Sequence, residues 1–228
     1  MASQSVRNNA MTPLALYARY RIYRGLQMHQ LRVAAVARAL AQASREPVDA
    51  DLVTRVGLFH DMGNIIKADL PRFQEFLEPE GLTFWETVKQ DFIAQYGTDE
   101  HAATAAICRD IGLSETEREL IANMRFSRTQ WILEEGSLAQ KICKYADMRV
   151  SPWGIVPMRE RLAEARERYA GAPMDSGEAY TSEVLTRSAA LCDEIERVLF
   201  ASLPFSPESI TDASTANLVE ELKQYRIS

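Results

Sequence analysis

At 228 residues the chain is long enough for one well-buried core, or a core with a small extension, and too short for two typical domains. Apolar residues at 46% and charged residues at 25% exclude a disordered chain, and no run approaches the roughly 18–20 uninterrupted apolar residues of a membrane helix. A formal charge of −6 leaves no broad basic field for an extended nucleic acid, so any anionic ligand must be caught by a local site.

Residues 1–11 are mostly polar, lack the apolar run of a signal peptide and read as a flexible tail on a cytoplasmic protein. Helical periodicity dominates the rest of the chain, and no alternating β-branched run bounded by turn residues argues for a strand, so the expected class is all-α. Thr12-Pro13 resembles an N-cap with proline in the first turn. A second helix, separate or continuous past Gly25, is expected over Leu26 to Ala43, with the stripe Leu26, His29, Val33, Val36, Leu40. That stripe places His29 on a core-facing side otherwise made of hydrophobic residues.

Asp49 or Asp51 can cap a helix running to Met62, with Val53, Val56 and His60 on one face and Gly63-Asn64 stopping it. Asn64 to Pro71 reads as a loop. Helices are expected at Thr83–Tyr96 and at Thr98–Ile111, the latter capped by Thr98, and Ser114-Glu115-Thr116-Glu117 is a capping box for a helix through Met124. A helix from Gly136 to Val150 should end before Ser151-Pro152. Pro157 to Tyr169, with mixed charges throughout, reads as a solvated helix face with i,i+4 pairs. Gly171 to Gly177 reads as a loop, Glu178 to Ser202 as a long helix, and Pro204 to Ala216 as a linker to a short helix near Leu218–Tyr225. The expected organisation is therefore a tail over 1–11, a helical core with extension helices over 12–202, and a linker with a terminal helix over 203–228.

Three cysteines, Cys108, Cys143 and Cys192, are odd in number and sit in apolar helical sequence, as reduced buried thiols would. The three histidines, His29, His60 and His101, are more informative. Two fall on separate apolar faces, and His60 is followed at once by Asp61, where a helix breaks. With Asp147 on a later helix, such residues make a nitrogen–oxygen site for one divalent ion: Mn²⁺, Fe²⁺, Co²⁺, Ni²⁺ or Zn²⁺, with Mg²⁺ less typical.

At these residues the sequence resembles the HD-domain metal-dependent phosphohydrolases, whose pattern is a histidine, a His-Asp pair and a distant aspartate. The matching segments are His29 in MHQLRVAAVARALA, His60-Asp61 in VGLFHDMGN and Asp147 in KICKYADMRV, within about Leu14 to Val150. The resemblance implies an all-α HD-domain bundle, one divalent metal held by His29, His60, Asp61 and Asp147, and hydrolysis of a phosphate ester by metal-activated water. The expected partner is a small phosphorylated substrate, a nucleotide. Homodimerisation through the helices after Pro157 is a further expectation.

Closest in local wording are bacterial HD-domain 5′-nucleotidases, whose Gly-Asp-Leu-Pro loop is matched by Ala68-Asp69-Leu70-Pro71. Asp69 then reads either as a general base or substrate-holding carboxylate, or as a turn residue before Pro71. The nucleotidases carry glutamate four residues after the motif histidine, whereas this chain has Asn64, which cannot transfer a proton as a carboxylate does. Lys67, His101 and Arg149 are candidates for holding the substrate, with Arg125 and Arg128 behind them. Relatives with two metals use more histidines near the His101 position, and the Gly-Tyr-Pro signature of the cyclic-dinucleotide phosphodiesterases is absent. Two rival readings stand beside the hydrolase: a regulatory or ligand-sensing HD protein without hydrolysis, and a di-iron oxygenase.

Overall fold

Thr12 accepts a hydrogen bond from the Ala15 amide and Pro13 fills the first turn of α1 (Pro13–Arg19), so the expected start is observed. In this computed structural model, which describes residues 11–169 and 181–227, α2 (Arg24–Ala43) is a separate helix. The chain turns between them at Tyr20 to Tyr23, where Arg21 adopts a left-handed φ of 49°. Among the described residues there is no strand; the β pairings are isolated bridges between Met11 and Ile227 and between Val150 and Ile155.

The sequence of α2 makes it the central helix. Leu26, Leu31, Val33, Val36 and Leu40 are buried, and the small residues Ala34, Ala35 and Ala37 let neighbours approach closely. It packs against α3 (Ala50–Phe59), α8 (Leu138–Asp147) and α11 (Asp212–Leu222). Asp49, not Asp51, caps α3, accepting from the amides of Asp51 and Leu52. A Cβ on Gly57 would lie 2.6 Å from the Ala34 Cα, nearer than such atoms ever come, so α2 and α3 meet backbone to backbone. The helical hydrogen bonds of α3 stop at Phe59, and His60 to Gly63 form a turn in place of the expected last helical turn.

Short 3₁₀ turns at Asn64–Ile66 and Leu70–Phe76 occupy the region expected as loop. The next helices are α4 (Leu82–Tyr96), α5 (Glu100–Asp110), α6 (Glu115–Asn123) and α7 (Thr129–Glu135). Asp99 caps α5 in place of Thr98, and the Ser114/Glu117 capping box of α6 is formed in full. Helix α7 has no counterpart in the sequence-based expectation. Ser137 and Gln140 make a second capping box, which starts α8 after Gly136.

Beyond α8 lie α9 (Met158–Tyr169), α10 (Ser182–Phe200) and α11. The loop expected at Gly171–Gly177, the helix start at Glu178 and the first ten residues of the tail lie outside the described residues. The charged helix α9 exposes Arg159, Glu160, Arg166 and Glu167 and pairs Glu164 with Arg168 four residues on, as expected, while Arg161 is buried and donates through Nε to the Val150 carbonyl at 2.9 Å. One expectation needs correction. Pro204 to Ala216 is not an extended linker but holds a 3₁₀ turn at Pro207–Ser209 and the Thr211/Ser214 capping box of α11. Thr215, Val219 and Leu222 are buried, because an amphipathic helix must cover its apolar face and α2 presents one.

Arg55 of α3 donates to Glu117 of α6, whose carboxylate also accepts from the Ser114 hydroxyl and amide. Burial disfavours the charged Glu117, but the hydrogen bonds from Arg55 and Ser114 outweigh it and hold the carboxyl below its ordinary 4.5. A depressed carboxyl stabilises the fold above its unfolded pKa and loses that contribution as pH falls through the folded one. The stability advantage of the native chain over Glu117→Gln, read as the difference in Tm, should therefore be full at neutral pH and close as pH drops below 4.5.

Candidate metal centre

Three helices end or cross at one point. His29 lies on α2, His60 and Asp61 follow the last turn of α3, and Asp147 is the final residue of α8. The Nε2 atoms of His29 and His60 are 3.4 Å apart. Asp147 Oδ1 lies 3.3 Å from His29 Nε2 and 3.6 Å from His60 Nε2, and Asp61 Oδ2 lies 3.8 and 3.7 Å from the same two atoms. The ligand atoms of His29, His60 and Asp61 all lie within 4.8 Å of one another. Two imidazole nitrogens and two carboxylate oxygens facing a common centre are a donor set for one divalent ion.

Polar groups from three other helices, together with His60 itself, hold the end of α3. A helix C-terminus leaves carbonyls without intrahelical partners. Here His60 Nδ1 donates to the Gly57 carbonyl at 2.9 Å, the Tyr17 hydroxyl to Leu58 at 2.8 Å, and the Cys108 thiol to Phe59 at 3.5 Å. Gln30, fully buried beside His29, accepts the Asp61 amide at 3.3 Å, and Thr104 of α5 accepts the Gly63 amide at 2.9 Å. The Nδ1 bond orients the His60 ring so that Nε2 faces the cluster. Gly63 is required for close approach, not for a left-handed stop: its φ is −96°, and a Cβ there would lie 2.4 Å from the Glu100 carbonyl oxygen.

The charges are mutually dependent. Burial of the His60 ring opposes its charged form, yet the Asp61 charge and the hydrogen bond to Asp147 win and raise the imidazole to about 9. Burial would likewise raise Asp147, but hydrogen bonds from His29 and His60 hold it well below the usual carboxylate range. Asp61 is lowered against its own burial by His60, then Lys67 and His29.

The remaining sequence candidates separate into three groups. Asn64 belongs to the cluster: its Nδ2 donates to Asp61 Oδ2 at 2.8 Å, so the residue that departs from the nucleotidase pattern holds the Asp61 carboxylate in place. Lys67 and His101 lie beside it, both against Glu100, with Lys67 Nζ at 3.1 Å and His101 Nε2 at 3.6 Å. Burial lowers the His101 imidazole pKa, and the charges felt there include Glu100, Lys67, Arg125 and Asp61, so these groups share one neighbourhood. Asp69 is exposed at the start of the second 3₁₀ turn and makes no capping hydrogen bond with its side chain.

Arg149 corrects the sequence reading. It is 2% exposed and turned away from any ligand, donating to the Val156 carbonyl at 2.7 Å, Pro207 at 3.1 Å, Ile210 at 3.0 Å and the Tyr145 hydroxyl. Every one of these partners is structural. Arg128 is exposed, with its guanidinium over the Trp131 ring. The three cysteines are buried and free, and burial pushes Cys108 up to about 12 and Cys192 to about 11, as unreactive thiols. Gln30 was legible in principle, as a polar residue on an apolar helix beside His29; Tyr17, Thr104 and Cys108 carry no such signal.

No helix in the described residues is long and apolar enough to cross a membrane. Residues 27–148, more than half of the chain, match the family model described as HD domain, and all four clustered residues fall within that span. No curated protein and no solved structure matches the chain.

Proposed function

Because the chain belongs to the HD domain family, whose members are of the metal-dependent phosphohydrolase type, we propose that it removes phosphate from a small phosphorylated molecule, a nucleotide. The observation that carries this reading is the convergence of His29, His60, Asp61 and Asp147 on one centre from three helices. Their chemistry fits a divalent ion: neutral imidazole with carboxylate favours Mn²⁺, Fe²⁺, Co²⁺, Ni²⁺ or Zn²⁺ over Mg²⁺. When bound, such an ion acidifies water and neutralises charge developing on phosphoryl oxygens.

The chain's own groups supply the rest. Asn64 and the Gly57 carbonyl hold Asp61 and His60 in place, so the donor set is pre-arranged and loses little freedom on binding. Lys67 and His101, grouped on Glu100 beside Asp61, bring donors to the side where an anionic group would enter an otherwise acidic protein. Asp69, exposed on the following 3₁₀ turn, is the candidate to accept the proton of the attacking water. Asn64 cannot fill that role, since an amide neither gives nor takes a proton near neutral pH.

Protein supplied with Mn²⁺, Co²⁺ or Ni²⁺ should release inorganic phosphate from members of a panel of nucleoside mono- and triphosphates. Silence across the panel, with metal demonstrably bound by elemental analysis, would refute hydrolysis.

A further inference from the structure

Three aromatic side chains from two segments far apart in the sequence meet, and none has a place in the metal-site chemistry. Phe73 and Phe76 come from the second 3₁₀ turn, Leu70–Phe76, and Trp153 from the loop after α8. Ring centroids are 5.8 Å apart for Phe73 and Trp153, 6.4 Å for Phe76 and Trp153, and 6.3 Å for Phe73 and Phe76, at inclined angles that leave ring faces uncovered by one another. Trp153 is 56% exposed, unusual for the largest apolar side chain when it serves packing alone.

The position of this group relative to His29 is set by what it touches on α2. Phe76 packs over Gly25, where a Cβ would come within 2.7 Å of the Phe76 Cβ. The other loop is tied about two turns further along: Asp212 accepts from Arg32 Nε at 2.8 Å and from the Ile155 amide at 3.0 Å, and its carboxylate lies against Gly154. At about 100° per residue, Gly25 and Arg32 lie about 40° and 60° to the same side of His29, one above and one below it. The aromatic group therefore spans the flank of His29. The Trp153 loop is a firm support, with the Ser151 amide on the Gly154 carbonyl at 2.8 Å and the Val156 amide on the Arg149 carbonyl at 2.9 Å. The Arg72 and Arg168 guanidinium groups sit over the Phe73 ring, their central carbons 5.6 and 5.9 Å from its centre, so Phe73 buttresses Phe76 and Trp153 rather than offering an open face of its own.

We propose that Phe73, Phe76 and Trp153 form the subsite for the planar base of a nucleotide whose phosphate sits at the metal centre. The inference rests on the phosphohydrolase reading and adds what that reading lacks, a recognition element for the part of the substrate that does not react. A flat π surface is the shared feature of all nucleobases, so stacking selects nucleotides over sugar phosphates while discriminating weakly among bases. The hydrogen-bonding pattern of a particular base has no matching set of buried polar groups on these three residues.

The test uses non-hydrolysable analogues on the Mn²⁺-loaded full chain by titration calorimetry: a 5′-methylenephosphonate of adenosine, and the ribose phosphonate without the base. The adenosine analogue should bind at least about tenfold tighter than the ribose one. Trp153→Ala should weaken the adenosine analogue by about tenfold and leave the ribose one unchanged, and Trp153→Phe should retain most of the affinity. Because Trp153 is exposed, Tm should be the same in all three proteins. Equal binding of the two analogues, or no effect of Trp153→Ala, overturns the subsite and leaves the phosphohydrolase reading standing. Failure of both analogues to bind overturns both.

Discussion

Asp147→Ala should lose both the bound metal and the catalytic activity, the latter by about 1,000-fold or more. Replacing groups that merely support a ligand already costs about 10–100-fold in affinity or activity, and Asp147 is itself placed to be a ligand. Its Oδ1 is the carboxylate atom nearest both imidazoles, at 3.3 and 3.6 Å. Elemental analysis of the purified variant should find metal well below one equivalent, and phosphate release should not be restored by raising Mn²⁺ in the assay. Asp147→Asn should fall in between in metal content, since the amide oxygen keeps a neutral donor while the charge is gone. A variant that keeps full metal content and full activity would remove Asp147 from the site and leave three ligands.

Arg149→Ala should destabilise the fold by about 3–5 kcal/mol without changing the chemistry of the site, because it strips several buried acceptors of a charged donor. The carbonyls of Val156, Pro207 and Ile210 and the Tyr145 hydroxyl would all lose a partner, and Tyr145 in turn donates to Glu196 of α10. For a chain of this size that amounts to roughly 10 °C in Tm. Arg149→Lys should recover little, since one ammonium cannot reach acceptors that a planar guanidinium serves together. Urea unfolding would give the loss, and KM measured at a temperature where the variant is folded should match the native value. A raised KM with unchanged stability would return Arg149 to the substrate-binding role that its position two residues after Asp147 suggests.

These two residues show how far proximity in sequence can mislead. Asp147 and Arg149 share a helix end, and both are polar residues in a buried place. One faces the histidines and the other faces the C-terminal segment, because adjacent turns of a helix end point in different directions and only packing decides what lies there. The same holds for residues 203–228. A stretch rich in Ser, Thr and Pro reads as a linker, but Arg149 gives its carbonyls a buried donor and α2 gives α11 an apolar face. Neither partner is visible in the local composition.

Caps and periodicities were legible where the signal is short-range. The Ser114/Glu117 box, the Thr12-Pro13 start and the buried stripe of α2 depend on residues three or four apart, and they are present as expected. Boundaries were less so: α3 closes a turn early because side chains from α1, α2 and α5 take over its terminal carbonyls and amides. Those contacts join residues 31 to 49 positions apart, a range that no local pattern records.

The sequence by itself determined the all-α class, the helices with local caps, and the set of histidines and aspartates, because rarity and order made His29, His60-Asp61 and Asp147 stand out. Tertiary structure alone decided that these four meet within a few ångströms, that Asn64 holds Asp61, that Arg149 is a staple and that three aromatic rings from distant segments meet. The physical reason is range. Helix formation and capping are governed by neighbours along the chain, whereas the burial, charge and orientation of a side chain depend on whatever distant segment packs against it.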